Sequence, residues 1–134
     1  MNNITHKQAE AVRYLFIIPL GLFGIMHFIV PSFFETMVPS FLSYRSFWVY
    51  FSGVALTAAS LSIAAKVIPR LASFLLTLFV LSFILTVDIP GLFNESTRYF
   101  RLVSLLKDTS LLGGSLLYYF LFEQKKNTSK ETHS

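Results

Sequence analysis

The chain contains no cysteine. Disulfides, thiolate nucleophiles, thiolate-bound metals, iron–sulfur clusters and haem attached through cysteine are therefore excluded. Charge is also scarce: 13% of the 134 residues are Asp, Glu, Lys or Arg, against roughly 25% in an ordinary soluble domain. A folded chain of this size keeps about a third of its unfolded surface in contact with solvent, and so little charge cannot cover that surface in water. Disorder, a nucleic-acid-binding domain and an ordinary cytosolic enzyme are excluded on this ground. What the chain does have is apolar: 54% hydrophobic and 16% aromatic residues, with a mean hydropathy of +0.61. The length suits one domain, 1–134, and the composition suits lipid as solvent. The net charge of +4 comes from basic residues at the ends of apolar runs, where anionic headgroups and topology explain them. The bilayer, not nucleic acid, is the expected partner.

Apart from His27, residues 14–34 carry no ionisable charge, nor do 46–65 and 71–87; 102–122 is interrupted by the adjacent pair Lys107 and Asp108. A spanning helix needs about 20 mostly apolar residues. The pattern predicts an all-α integral membrane protein, a four-helix antiparallel bundle with transmembrane helices at 11–30, 46–66, 69–88 and 103–122. Pro69 suits a first helical turn, and Pro90-Gly91 reads as the end of the third helix. The loop 31–45 holds Phe33, Phe34, Met37, Phe41 and Leu42 between Pro31 and Pro39. It is too apolar for water and too broken to span, so an interfacial position is expected. Trp48, Tyr44, Tyr50, Tyr118 and Tyr119 fit aromatic belts. The segment 123–134 reads as a polar, solvated C-terminal tail.

With four spans, the two termini and the second connection share a side. Lys7, Arg13, Lys66, Arg70, Lys125, Lys126 and Lys130 lie there, against Arg45, Arg98, Arg101 and Lys107 on the other. The positive-inside rule then puts both termini in the cytoplasm, with Arg13 as a topology anchor.

Ionisable groups within apolar runs are costly, about 2.5–3.5 kcal/mol at a helix centre, and ask for a reason. Four stand out: His27, Asp88, Lys107 and Asp108. The helix directions bring all four to similar depth at the end opposite the termini. Neighbours in sequence point about 100° apart on a helix, so Lys107 and Asp108 each need a partner elsewhere; Lys107 with Asp88 and Asp108 with His27 is the expected pairing. Such a cluster is either a polar pocket for a ligand headgroup or proton, or a network that fixes helix register. A lone histidine cannot close a metal site, so no metal is expected. Gly21, Gly24, Gly53, Gly113 and Gly114 read as helix-packing positions, where small residues let helices approach.

Several stretches, taken in order, carry a resemblance: Gly24-Ile-Met-His27-Phe28, Pro31-Ser-Phe-Phe-Glu-Thr-Met37-Val38-Pro39, Val49-Tyr50-Phe-Ser-Gly53, Ile68-Pro-Arg70-Leu-Ala72 and Leu106-Lys107-Asp108-Thr-Ser-Leu-Leu-Gly113-Gly114. Over about residues 12–120 the chain resembles the DoxX-like family of small bacterial membrane proteins. That resemblance implies a four-helix bundle in the bacterial inner membrane, and little assigned chemistry. One departure stands out: many members carry glutamate where this chain has Leu56. Two functions follow as expectations. The first is an accessory or assembly protein of the inner membrane, partnered by other membrane proteins. The alternative is a quinone-linked subunit of an oxidoreductase, with His27, Asp88, Lys107 and Asp108 forming a pocket under Met37-Val38-Pro39 and electrons supplied by a redox partner. The residues complete no catalytic set, and they single out no cofactor beyond the quinone of that alternative.

Overall fold

The computed structural model describes residues 3–131, with side chains from Lys7 on. Among the described residues all regular structure is helical: α1 (Asn3–Ile29), α2 (Pro31–Glu35), α3 (Arg45–Ala65), α4 (Pro69–Phe83), a π-helical turn (Ile84–Asp88), α5 (Ile89–Gly91) and α6 (Arg98–Glu131). Three stretches are long and apolar enough to cross a membrane: Lys7–Ile29, Arg45–Ala65 and Pro69–Gly91. The expected fourth span, 103–122, lies within α6 and is not among them.

Several boundaries differ from the sequence reading, each for a local reason. Helix α1 begins at Asn3, because Lys7, Gln8, Ala9 and Glu10 favour helix as well as the apolar run does. The loop 31–45 contains α2, with Pro31 in its first turn, where a missing N–H costs little. Pro90-Gly91 does end the third helical run, which reaches Gly91 and not 88. The backbone passes through a π turn in which the Ile89 N–H bonds to the Ile84 carbonyl, five residues back. The added residue lets Pro90 be carried despite its missing N–H and its ring. Helix α6 does not stop at 122 but continues to Glu131, so the polar tail is helical up to that point. Residues 132–134 of the expected tail lie outside the described residues.

Helix α1 packs chiefly on α3 and α6 on α4, while α3 and α4 share a thinner contact. The core joins three of them: Ile17 and Leu20 of α1, Leu56, Ala59 and Ile63 of α3, and Ala72, Leu76 and Val80 of α4. Phe16 and Phe23 of α1 and Leu105, Leu111 and Leu112 of α6 pack against it.

The end that carries the first residues of α1 and the last turns of α6 is held by ion pairs. Glu10 takes Lys66 at 2.8 Å and also pairs with Arg13, and Arg70 meets Glu123 at 2.8 Å. Arg13 belongs to this end and is buried. It is 7% exposed, and its guanidinium lies 5.1 Å from the Tyr14 ring centre. Its length lets it fold its charge onto Glu10, one turn away. The turn from α3 to α4 uses left-handed backbone at Lys66 (φ 57°) and Ile68 (φ 44°), with the Val67 N–H returning to the Ser62 carbonyl at 3.1 Å. A β-branched residue is rarely found there, and here it allows Pro69 to start α4 at once.

Candidate ligand cavity at the loop end

At the opposite end the helices do not close on one another. A cavity of about 530 Å³ lies among α1, α3, α4 and α6, under the 31–45 loop. Its walls are aromatic and aliphatic, with Phe23, Phe34, Trp48 and Phe79 among them, and Met37, Val38 and Pro39 roof it. His27, Arg101, Lys107 and Asp108 also face it.

The position of His27 follows from α1. The ring is 4% exposed, and its Nδ1 lies 2.8 Å from the Phe23 carbonyl one turn earlier. It stacks on Phe34 of α2 at 3.9 Å, with the planes 11° apart, and meets the Phe23 ring edge-on at 5.0 Å. Behind it, Gly53 of α3 makes room: a Cβ there would lie 2.9 Å from the His27 Cβ and 2.9 Å from the Phe28 ring. Since Nδ1–H donates to the carbonyl, Nε2 is left as an acceptor without a donor.

The expected pairing of Lys107 with Asp88 and of Asp108 with His27 is not what forms. Lys107 Nζ lies 3.2 Å from Asp108 Oδ1 and 4.7 Å from the centre of the Phe23 ring. The lysine stem is long enough to bend its ammonium back over the next residue, which an argument from Cβ directions alone misses. Lys107 is 55% exposed along its side chain, whereas Asp108 is 9%. Asp88 is further in, behind the cavity wall. The π turn directs Ile84, Val87 and Asp88 inward together, and Asp88 is 0% exposed. Neither of its carboxylate oxygens has a hydrogen bond of good geometry; Ser104, Asp108 and Arg101 of α6 are its polar neighbours. So His27, Lys107 and Asp108 meet around one cavity, with Asp88 next to Asp108.

The glycines divide. Cβ atoms on Gly21 and Gly24 would come within 2.7 Å of Ser60 Oγ and 2.6 Å of Thr57 Oγ1, and one on Gly114 within 2.6 Å of Phe16. Gly113 is a correction. A Cβ there meets nothing within 4 Å, because it points away from the helices that Gly114 faces.

Arg101 is the residue that sequence reasoning missed, having counted it only as a topology charge. Its Nη2 donates to the Met37 carbonyl at 3.0 Å, tying α6 to the roof, and its stem crosses Gly91, where a Cβ would lie 2.5 Å from Arg101 Cγ. Gly91, where the third helical run stops, was the available signal. Trp48, assigned to an aromatic belt, lines the cavity and donates Nε1–H to the Ser43 carbonyl at 3.1 Å. Leu56 is 2% exposed and also lines the cavity.

A family model matches residues 17–101, more than half of the chain. The chain belongs to this family, described as Domain of unknown function (DUF8561). No curated protein and no solved structure matches. The DUF8561 match includes His27, the whole roof, Asp88 and Arg101, and it stops short of Lys107 and Asp108.

Proposed function

We propose that this chain is a multi-pass membrane protein, a four-helix bundle of the DoxX-like kind, whose cavity binds a quinone-class ligand. The observation that carries the reading is the cavity itself. Its volume of about 530 Å³ is within the roughly 300–1,000 Å³ of small-molecule sites, which are mostly apolar with a few convergent polar groups. The residues fit such a ligand. His27 Nε2 can accept a ring hydroxyl, the Lys107 ammonium can donate to a ring carbonyl, and the Phe23, Phe34 and Phe79 walls can hold a flat ring and the start of an apolar tail. When bound, a quinone supplies reversible two-electron, two-proton chemistry; the chain's own residues hold the ring and keep its oxygens hydrogen-bonded in an apolar site.

The length and apolarity of α1, α3 and the Pro69–Gly91 stretch support three crossings. We read α6 as the fourth, because its charged pair lies at the cavity and the exposed Val103, Leu106, Leu117 and Leu121 suit lipid. The excess of Lys and Arg at the terminal end supports cytoplasmic termini in a bacterial inner membrane. A cysteine placed at Asn127 tests this cleanly in a cysteine-free chain. An impermeant thiol reagent should reach it from the cytoplasmic side only, and labelling from outside overturns the orientation.

An accessory or assembly role is the second reading. It is favoured by Phe41, Tyr44, Phe93 and Tyr99, which stand 68–85% exposed, as aromatic residues at protein contacts do before the partner arrives.

The chain's single tryptophan lines the cavity, so it reports on occupancy. A short-chain quinone added to the purified protein should quench Trp48 fluorescence to saturation. His27→Ala should weaken the apparent affinity by about tenfold, the equivalent of one hydrogen bond. Linear, unsaturable quenching that is the same in both proteins sinks the quinone reading and leaves the accessory one.

A further inference from the structure

The cavity is not walled off between α3 and α4. Trp48 and Phe51 of α3 and Ser82 and Thr86 beyond Phe79 line it and are also exposed on the outer surface. Phe51 is 49% exposed, and its ring meets Phe79 of α4 with 6.4 Å between centres. That is the wide end of the range for aromatic pairs, about 4.5–7 Å. Nearer the termini the same two helices are closed by Leu56, Ala59 and Ile63 against Ala72, Leu76 and Val80. The opening therefore lies above that core, as a groove leading from the cavity to the surface.

The groove is built for an apolar chain. The Ser82 hydroxyl donates to the Phe79 carbonyl and the Thr86 hydroxyl to the Ser82 carbonyl, each at 2.7 Å. Their polar atoms are thus spent on their own helix, and their small size leaves the groove open beside Phe79 and Phe83. Ser82 lies nine residues before Gly91, roughly 13 Å down the helix at about 1.5 Å per residue. In a bilayer that depth is hydrocarbon and not headgroup. The other edges of the cavity are less suited to a chain. Between α1 and α6 the Lys107 ammonium sits 4.7 Å from the centre of the Phe23 ring and 3.2 Å from Asp108. Above, the Met37 carbonyl of the roof is tied to Arg101.

Size makes an exit necessary. About 530 Å³ holds a ring and the first carbons of a chain, but not the long tail of a membrane-borne quinone. The remainder has to lie outside, and apolar chain is costly to place in water.

We propose that the cavity takes its ligand sideways from the bilayer, between α3 and α4. The apolar chain lies in the groove of Phe51, Phe79, Ser82, Phe83 and Thr86, and the ring reaches Trp48 and His27. This rests on the ligand reading above and narrows it to a ring carried on a long chain. The Phe51 and Phe79 rings form the gate, since a change of rotamer in either widens the mouth without moving a helix.

Two quinones with the same ring, one short-chained and one with a long alkyl chain, test this by quenching of Trp48 in nanodiscs of phosphatidylethanolamine and phosphatidylglycerol. The ratio of long-chain to short-chain affinity is the readout, and in identical nanodiscs the partitioning of each quinone cancels between variants. Ser82→Phe puts a ring into the groove and should lower that ratio about tenfold, the size of an overpacking clash. Thr86→Phe, one turn on, should do the same and keeps the test intact if the first variant does not fold. Leu85→Phe, exposed on the same helical run but outside the cavity wall, should leave the ratio at its wild-type value. A ratio unchanged in both groove variants overturns the sideways entry, as does one lowered by Val103→Phe on α6 instead; saturable quenching in the wild type then leaves the ligand reading standing. No saturable quenching by either quinone ends the ligand reading, and the sideways entry with it.

Discussion

Along α1 and α3 the contact is made by side chains that are missing, whereas along α4 and α6 it is made by hydroxyl groups. Gly21 and Gly24 bring α1 so close to α3 that added Cβ atoms would fall inside the contact distance of Ser60 and Thr57. One bond crosses that seam, from the Ser60 hydroxyl to the Ile17 carbonyl at 2.8 Å. On the other side, the Thr77 hydroxyl donates across to Ser115 Oγ of α6 at 2.9 Å, with the Ser73 carbonyl of its own helix 2.8 Å away. Ser115 in turn bonds to the Leu112 carbonyl at 2.9 Å. The first seam sets a distance by steric fit; the second tolerates variation in distance and keeps its polar atoms satisfied. The seams differ in satisfaction too: the Ser60, Thr77 and Ser115 hydroxyls have partners, whereas Thr57 Oγ1, against Gly24, is buried without one, as the Asp88 oxygens are at the loop end. Buried polar atoms without a partner are rare in folded proteins, and each asks for a physical reason.

If close approach is what holds α1 to α3, Gly24→Ala should do the most damage of any single methyl in the molecule. The new Cβ would lie 2.6 Å from Thr57 Oγ1 and 2.8 Å from the Thr57 backbone nitrogen. A side-chain end can swing away, but a helix backbone cannot, so the helices must separate along their length. Overpacking of this kind costs about 1–3 kcal/mol, and the upper end is expected because backbone is involved. A thermal melt in detergent checks it. A melting temperature equal to wild type would mean that the glycine seam is loose and that the two pairs are held alike.

How far this was legible beforehand depended on the kind of signal. The apolar runs and the end at which His27, Asp88, Lys107 and Asp108 gather could be read from helix direction alone, because a helix of about 1.5 Å per residue converts sequence position into depth. Which of the four touch could not. That depends on side-chain reach, and Lys107 bends back to Asp108 where the Cβ geometry points elsewhere. Gly114 and Gly113 are adjacent and looked equivalent; only the rotation of α6 decides that one meets Phe16 and the other nothing. The π turn was hidden for the same reason. Pro90-Gly91 is the ordinary signature of a helix end and is one here, but nothing in it announces the π turn before it or Arg101 lying across Gly91, a contact made by a helix that starts seven residues later.

A smaller effect sharpens the contrast from the other seam. Thr77→Val keeps the volume and branching of the side chain and removes one hydroxyl. Ser115 loses the donor from Thr77 and keeps its own bond to the Leu112 carbonyl. Hydrogen bonds between helices in an apolar solvent average about 0.6 kcal/mol, because the separated helices find other partners. Thr77→Val is therefore expected to lower stability by ~0.6 kcal/mol, a shift of a few degrees at most. The same melt used for Gly24→Ala reads it, and the ordering of the two carries the argument. Should Thr77→Val prove the more damaging, the α4 and α6 contact would depend on that hydroxyl pair as a rigid element. The cavity between the two helix pairs would then owe its shape to the hydroxyl side and not to the glycine side.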